Sequence, residues 1–257
     1  MKTRPHILIS NDDGILAPGI LNLAEVASEL GDISIVAPDS AQSGMGHAIT
    51  IGRPLRVYKE ELPGGLTGYA INGTPADCVK LATGVLLDRA PDLILSGINH
   101  GANTSVSTIY SGTLSAAREG AIQEIPSIGF SLCNFQHEAD MSTAKAVARV
   151  IIKEALEQKM PAGQCLNVNI PDLPLDELKG IKVTRQAEGR WTEGFDERVD
   201  PFGRKYYWMT GEFVLTDKNN GTDIHAIEAG YVSVTPINRD MTRHQDLPSL
   251  AGWTLEL

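Results

Sequence analysis

Short apolar runs alternate with amphipathic segments along the first two-thirds of the chain. The apolar runs show little alternation of apolar and polar residues, which is typical of strands buried on both faces of a parallel sheet. Five such runs are predicted to be strands: HILIS (6–10), ISIVAP (33–38), DLILSGIN (92–99), PSIGFSL (126–132) and CLNVNIP (165–171).

The segments between these runs carry apolar residues at helical spacing. They predict helices over residues 17–30, 74–87, 111–124 and 141–158. Thr74 is a suitable N-cap, and Pro75 suits the first helical position. Alternation of strands and helices predicts an α/β fold: a Rossmann-like, doubly wound, mostly parallel sheet.

The pattern changes from about Lys179 onward. Residues 181–186, 205–215 and 230–237 alternate as strands do, whereas the segment over residues 188–208 is polar and rich in turn residues. We therefore predict one α/β domain spanning residues 1–257. Its core is formed by about 1–175 and a C-terminal return strand, with a projecting β-rich extension over about 176–240. Such an arm suits pairing with another subunit; an edge hairpin on the same domain is the alternative.

Composition narrows the class of function. Lys and Arg number 22 and Asp and Glu number 32, a net charge of −10, which argues against nonspecific binding to nucleic acid or to an anionic membrane. The N-terminal apolar run is too short for a signal peptide, and we expect a cytoplasmic protein. The widely spaced Cys78, Cys133 and Cys165 are predicted to be reduced thiols.

Polar residues gather where the predicted strands end, and parallel strands place their carboxyl ends at one edge of the sheet. Two adjacent carboxylates, Asp12 and Asp13, follow the first strand. Later loops add neutral oxygens from Ser43, Asn99, Asn103, Ser111 and Thr113. A hard divalent cation such as Mg²⁺, Mn²⁺ or Ca²⁺ takes such ligands and would relieve the repulsion between the two aspartates. Each loop by itself is also consistent with an ordinary turn.

Residues 111–113 (Ser-Gly-Thr) lie at the predicted start of a helix, where free amides and the helix dipole bind anions. A simple N-cap is the structural alternative. A phosphate site beside a two-carboxylate metal site predicts metal-assisted hydrolysis of a phosphate ester. The sequence contains neither a Walker A motif nor a dinucleotide-binding Gly-x-Gly-x-x-Gly.

Two other functions remain open from the residues alone. One is a phosphoryl-accepting signalling domain, which also places an acidic pair after its first parallel strand. The other is a non-catalytic metal- or nucleotide-binding protein on the same scaffold. The signalling alternative is weakened because Cys133 and Asn134, rather than a lysine, follow the strand over 126–132.

Several motifs together resemble the SurE family of metal-dependent 5′-nucleotidases. In chain order they are SNDDG (10–14), APDSAQSGMGHAITI (37–51), INGTPADCV (71–79), LILSGINHGAN (93–103), YSGTLSAAREG (110–120), LNVNIP (166–171), GRKYYW (203–208) and TDIHAIEAGYVSVTP (222–236). The resemblance implies hydrolysis of nucleoside 5′-monophosphates to nucleoside and phosphate. Some members also take 3′-monophosphates or short polyphosphates. It further implies a homodimer or homotetramer formed through the β-rich extension.

Site residues are assigned from this resemblance by position. Asp12, Asp13, Ser43 and Asn99 resemble the ligands of one divalent metal ion per subunit, Mg²⁺ or Mn²⁺. The residues that resemble the phosphate pocket are Asn103, Ser111, Gly112 and Thr113, with Asn11 and Gly44 in support. A water molecule would attack phosphorus in line while Asp12 or Asp13 takes its proton; an aspartyl nucleophile is the alternative.

One loop departs from the family pattern. Between Asn103 and Tyr110 many members carry a Gly-Asp pair, whereas this chain has Thr-Ser-Val-Ser-Thr over 104–108. The loop length is kept, and the four predicted metal ligands are all present. The missing carboxylate therefore bears on substrate preference and on the order of the loop more than on the metal site.

Overall fold

In the part of the chain that the computed structural model describes, residues 4–217 and 219–254, nine strands form one sheet. They are β1 His6–Ser10, β2 Asp32–Pro38, β3 Val57–Leu62, β4 Leu66–Ile71, β5 Leu93–His100, β6 Ser127–Leu132, β7 Cys165–Ile170, β8 Ile181–Val183 and β11 Val232–Ile237. Their spatial order is β3-β4-β2-β1-β5-β6-β7-β11-β8. Strands β4 to β7 in this order run parallel, while β3 and β11 are antiparallel to β4 and β7.

Helices cover both faces of this sheet. They are α1 Pro18–Leu30, α2 Pro75–Leu81, α3 Ser107–Tyr110, α4 Gly112–Ile122, α5 Ser142–Glu157, α6 Asp223–Glu228 and α7 Leu247–Leu250. The predicted cap of α2 is present, since the Thr74 side chain and Asp77 form a reciprocal capping box with Pro75 in the first turn. The predicted Rossmann-like α/β fold is confirmed.

The first strand shows why apolar runs without alternation become central strands here. Ile7 and Ile9 are fully buried in one hydrophobic cluster, together with residues of α1 and α5. Leu8, between them, is fully buried in a second cluster with Cys78 of α2. Successive side chains point to opposite faces of a strand, so a strand covered by helices on both faces needs apolar residues at every position.

The order of the strands defines one crevice. β1 lies between β2 and β5, with Ile7 paired to Ile33 on one side and to Leu93 on the other. The strand order therefore reverses at β1, and ligands of open α/β sheets bind at such a switch point, beyond the carboxyl ends of the strands. Asp12 and Asp13 follow β1, and Asn99 is near the end of β5.

Strands β9 (Gly189–Val199) and β10 (Lys205–Leu215) form a separate antiparallel hairpin. The polar segment predicted to be turn-rich is thus mostly strand, with the turn between Val199 and Lys205. β10 matches the strand-like run predicted over residues 205–215 and confirms the β-rich extension. Most residues of β9 are exposed on both faces, so no buried face imposes on it the alternation that marks a strand in sequence. No helix within 4–217 and 219–254 is long and apolar enough to cross a membrane.

Candidate active site

The two aspartates after β1 differ in their surroundings. Asp12 is buried, and the Thr113 hydroxyl donates a 2.5 Å hydrogen bond to its Oδ1. Asp13 Oδ2 is buried without a hydrogen-bond partner among the described residues, and His100 Nδ1 lies 3.7 Å from it. Asn11 donates from Nδ2 to the Gly14 carbonyl, which leaves its buried Oδ1 unpaired as well. Unpaired oxygens of this kind suit a cation as their missing partner.

Burial raises the pKa of Asp12 from 3.8 to about 6. The Thr113 hydrogen bond acts in the opposite direction, and the charge of Asp13 adds to the increase. A carboxylate with this pKa is held ionised at neutral pH against a desolvation penalty. A bound cation would remove that penalty.

Helix α4 begins directly against Asp12. A Cβ added to Gly112 would lie 2.6 Å from the Cβ of Asp12, so only glycine fits at the first helical position. Ser111 caps the helix by accepting a 3.0 Å hydrogen bond from the Leu114 amide. The helix N-terminus, where amides and dipole favour negative charge, therefore adjoins the carboxylate pair.

Asn99 enters from the neighbouring strand. Its side-chain Nδ2 donates to the Gly101 carbonyl at 2.8 Å, which leaves the amide oxygen as the available ligand atom. The pairing of β5 with β6 shifts between Ser96 and Asn99, and Gly97 there has φ +120°. A Cβ on Gly97 would lie 2.3 Å from the Phe130 carbonyl oxygen. This irregularity redirects the end of the strand, as bulges beside functional sites do.

The loop that carries Ser43 and Gly44 is tied to the carboxylate pair. The Gln42 amide donates to the Asp12 carbonyl at 2.7 Å, and the Gly46 amide donates to the Tyr110 carbonyl at 3.0 Å. Ser43 itself is exposed, and no hydrogen bond engages its side chain within the described ranges. Its hydroxyl is therefore free to bind a ligand.

Asn103 lies in a buried network that the sequence did not predict. Its Nδ2 donates to Ser131 Oγ at 2.8 Å, and its backbone amide donates to Asn169 Oδ1 at 2.7 Å. Its carbonyl accepts from Asn167 Nδ2 at 2.7 Å. These bonds fix the loop to β6 and β7, and they engage the Asn103 side chain with Ser131. Direct contact of that side chain with phosphate stays a prediction.

Glu119 anchors a loop of the site, and sequence analysis missed it. Only 2% exposed, it accepts hydrogen bonds from His47 Nε2 at 3.0 Å, Lys80 Nζ at 2.8 Å and Gln123 Nε2 at 3.0 Å. Burial acts to raise the pKa of Glu119, but these donors outweigh it and lower the pKa. The carboxylate thereby binds the Ser43 loop to α4. The sequence does carry a signal for Glu119: it is a charged residue on the face of the predicted helix that otherwise carries small residues.

Asp223 is the second missed residue. It is fully buried, and it accepts hydrogen bonds from the Ser105 and Ala187 amides, both at 2.9 Å. Ser105 has φ +50°, and its hydroxyl donates to the Ala187 carbonyl at 2.8 Å. The loop that departs from the family pattern is therefore anchored to the base of the β9–β10 hairpin.

The chain is similar to known proteins in both sequence and structure. A family model described as "Survival protein SurE" matches residues 7–193. The chain is 52% identical to the 5′-nucleotidase SurE of Christiangramia forsetii, covering 99% of this chain and 98% of that protein. It is 53% identical to the 5′-nucleotidase SurE of Cytophaga hutchinsonii, with 96% of each covered. The crystal structure of the SurE protein from Aquifex aeolicus superposes with a TM-score of 0.81 at 41% identity, over 96% of this chain and 98% of that one.

Proposed function

Because this chain belongs to the SurE family, we propose that it is a metal-dependent phosphomonoesterase that hydrolyses nucleoside 5′-monophosphates to nucleoside and phosphate. The observation that carries the proposal is the buried Asp12, with the half-buried Asp13 beside it, against the N-terminus of α4 at the switch point of the sheet. The relatives named as 5′-nucleotidases cover nearly the whole chain and support it. The signalling alternative is not favoured.

A divalent cation fits the residues that are present. Asp12, Asp13, Ser43 and Asn99 would hold one ion per subunit, and the unpaired Asp13 Oδ2 gives it a ready ligand. Within 4–217 and 219–254 no three His, Cys, Asp or Glu side chains cluster to bind a metal, so the donors are two carboxylates with neutral oxygens. That set suits Mg²⁺ or Mn²⁺ better than zinc. When bound, the ion would polarise the phosphoryl group and neutralise charge that develops on it.

The side chains of the protein position the substrate and move the proton. The amides at the start of α4, with Ser111 and Thr113, would hold the phosphoryl oxygens, and Asn103 would support them. A water molecule attacks phosphorus opposite the leaving 5′-oxygen, and a carboxylate oxygen of Asp12 or Asp13 takes its proton. The bond from phosphorus to the 5′-oxygen breaks, and that oxygen takes a proton from solvent to give the nucleoside. Hydrolysis in ¹⁸O-water under single-turnover conditions tests this. Label in Asp12 or Asp13, or a phosphorylated protein trapped by acid quenching, contradicts direct attack by water, whereas labelled phosphate with neither of these supports it.

We also propose that the hairpin joins subunits into a homodimer or homotetramer. Its side chains include Phe195, Tyr207, Trp208 and Met209, each more than half exposed. An isolated two-stranded ribbon with exposed aromatic side chains is unstable in water by itself and gains from pairing with a second copy. Sedimentation of the full-length protein tests the assembly, and a monomer at micromolar concentration would contradict it.

The function is tested by phosphate release from nucleoside 5′- and 3′-monophosphates and from short polyphosphates, with Mg²⁺, Mn²⁺ or EDTA. We expect release that requires the cation and is abolished by Asp12→Asn. Asp176→Asn is the matched control, because Asp176 is exposed and lies in a turn outside the site. Folded wild-type protein that releases no phosphate with either cation would overturn the proposal.

A further inference from the structure

An exposed aromatic ring lies beside the candidate site. Phe135 follows β6, and its side chain is 81% exposed. The ring lies directly against Gly101, where an added Cβ would be 2.3 Å from Phe135 Cε1. Gly101 is two residues beyond Asn99 and accepts the hydrogen bond from its side chain. One side of the ring thus contacts the backbone of the site, and the remainder faces solvent.

The segment that carries this ring is held by hydrogen bonds. The Cys133 amide donates to the Ile170 carbonyl at 2.9 Å. Asn134 donates from Nδ2 to Asp172 at 2.8 Å, and its Oδ1 accepts from the Gln136 amide at 2.8 Å. Gly101 has φ +107°, a conformation that glycine adopts without strain. An aromatic ring placed on a fixed backbone, with open space above it, is arranged to receive a flat ligand.

The position of Phe135 relative to the carboxylate pair matches the shape of a nucleotide. The order β1-β5-β6 places Asp12 and Asp13, then Asn99, then Phe135 along one edge of the sheet. Two strand spacings, about 10 Å, separate β1 from β6. This is the scale on which the phosphate and the base of a nucleotide are separated.

A second aromatic contact lies on the same side of the site as Phe135. His137 stacks on His100 with ring centroids 6.0 Å apart and an interplanar angle of 6°. His100 in turn lies 3.7 Å from Asp13. The side of the site formed by β5 and β6 is therefore lined by rings, whereas the side at α4 offers amides and hydroxyls.

We propose that Phe135 is a specificity-determining residue on which the nucleobase of the substrate stacks. The inference rests on the proposed nucleotidase function and adds which side of the site receives the base. Every base has a π-face, so such a platform accepts all nucleotides, and purines, with the larger ring system, stack more strongly. We expect the wild-type protein to have a lower KM for purine than for pyrimidine 5′-monophosphates.

The test compares Phe135→Ala with Gln136→Ala, an exposed neighbour whose backbone hydrogen bond the substitution keeps. Substrates are AMP, GMP, CMP, UMP and ribose 5-phosphate, which has no base, with Mn²⁺ or Mg²⁺ present. Removing the platform should lower kcat/KM for AMP about 5- to 100-fold through KM. Ribose 5-phosphate should change less than about two-fold, and the purine preference should largely disappear.

Inhibition provides a second readout that needs only one hydrolysed substrate. In Phe135→Ala the inhibition constant of adenosine should rise as the KM of AMP does, while that of inorganic phosphate stays unchanged. An equal loss for nucleotides and ribose 5-phosphate would overturn the inference, as would no loss at all. A change of assembly state in Phe135→Ala would also overturn it, because a second copy would then be the occupant. Failure of wild type to hydrolyse any phosphomonoester would instead contradict the proposed function.

Discussion

Asp12→Asn should stabilise the metal-free protein while abolishing its activity. The folded chain raises the pKa of Asp12 from 3.8 to about 6, chiefly through burial. A raised carboxyl pKa means that the folded state binds the proton more tightly than the unfolded state. This contribution to stability is complete below pH 3.8 and is lost as pH rises through 6.

The magnitude follows from the difference in pKa. About two pKa units at about 1.4 kcal/mol each give roughly 3 kcal/mol of destabilisation near pH 7.5. Asparagine is neutral and avoids this penalty, but its bond with the Thr113 hydroxyl is weaker by about 1 kcal/mol. The net gain of about 2 kcal/mol corresponds to a rise in Tm of roughly 4–8 °C for a chain of this length.

Thermal unfolding in EDTA near pH 7.5 measures this gain, and Asp176→Asn is the control that removes an exposed charge. Near pH 4 wild-type Asp12 is largely protonated in the folded state, so the pKa-related gain should fall below about 1 kcal/mol. Added Mg²⁺ or Mn²⁺ should raise the Tm of wild type and leave that of the variant unchanged. A variant less stable than wild type in EDTA near pH 7.5 would refute the electrostatic reasoning.

Two further substitutions test the packing around the site. Gly112→Ala places a methyl group 2.6 Å from the Asp12 Cβ; we expect loss of activity and a destabilisation of about 1–3 kcal/mol by urea unfolding. Gly84→Ala, where the added Cβ meets nothing within 4 Å in a helical segment, is the control: it should leave activity unchanged and should not lower stability, because alanine favours helix more than glycine does. Asp223→Asn should lower the free energy of unfolding by about 1–3 kcal/mol and speed amide hydrogen exchange at Ser105. Unchanged exchange at Ser105 would show that Asp223 does not hold the loop.

The sequence predicts the central strands better than the exterior ones for a physical reason. Residues 7–9 must be apolar because helices cover both faces of β1. Their burial is therefore visible in the sequence as a continuous apolar run. Strand β9 has no buried face, and its polar residues resemble those of a turn. Alternation over residues 205–215 predicts β10, whereas β9 becomes visible only when its pairing with β10 is known.

The candidate site also has a part that the sequence predicts and a part that it does not. Convergence of Asp12, Asp13 and Asn99 follows from strand order, because carboxyl ends of parallel strands share one edge. The contact of His47 with Glu119 joins residues 72 positions apart. No local pattern encodes such a partnership, and it depends on how α4 packs against the loop after β2.

Buried carboxylates anchor the loops of the site in one recurring way. Asp77 accepts hydrogen bonds from the Thr50 and Thr74 amides, both at 2.9 Å. Thr50 lies in the loop after β2 that also contains Ser43, and Thr74 is the N-cap of α2. Glu119 holds His47 in the middle of that loop, and Asp223 holds the loop after Asn103. A carboxylate has more lone pairs than one amide can use, so one buried residue fixes two segments together. These three carboxylates have their donors supplied, whereas Asp13 Oδ2 has no hydrogen-bond partner among the described residues and is the carboxylate oxygen available to a cation.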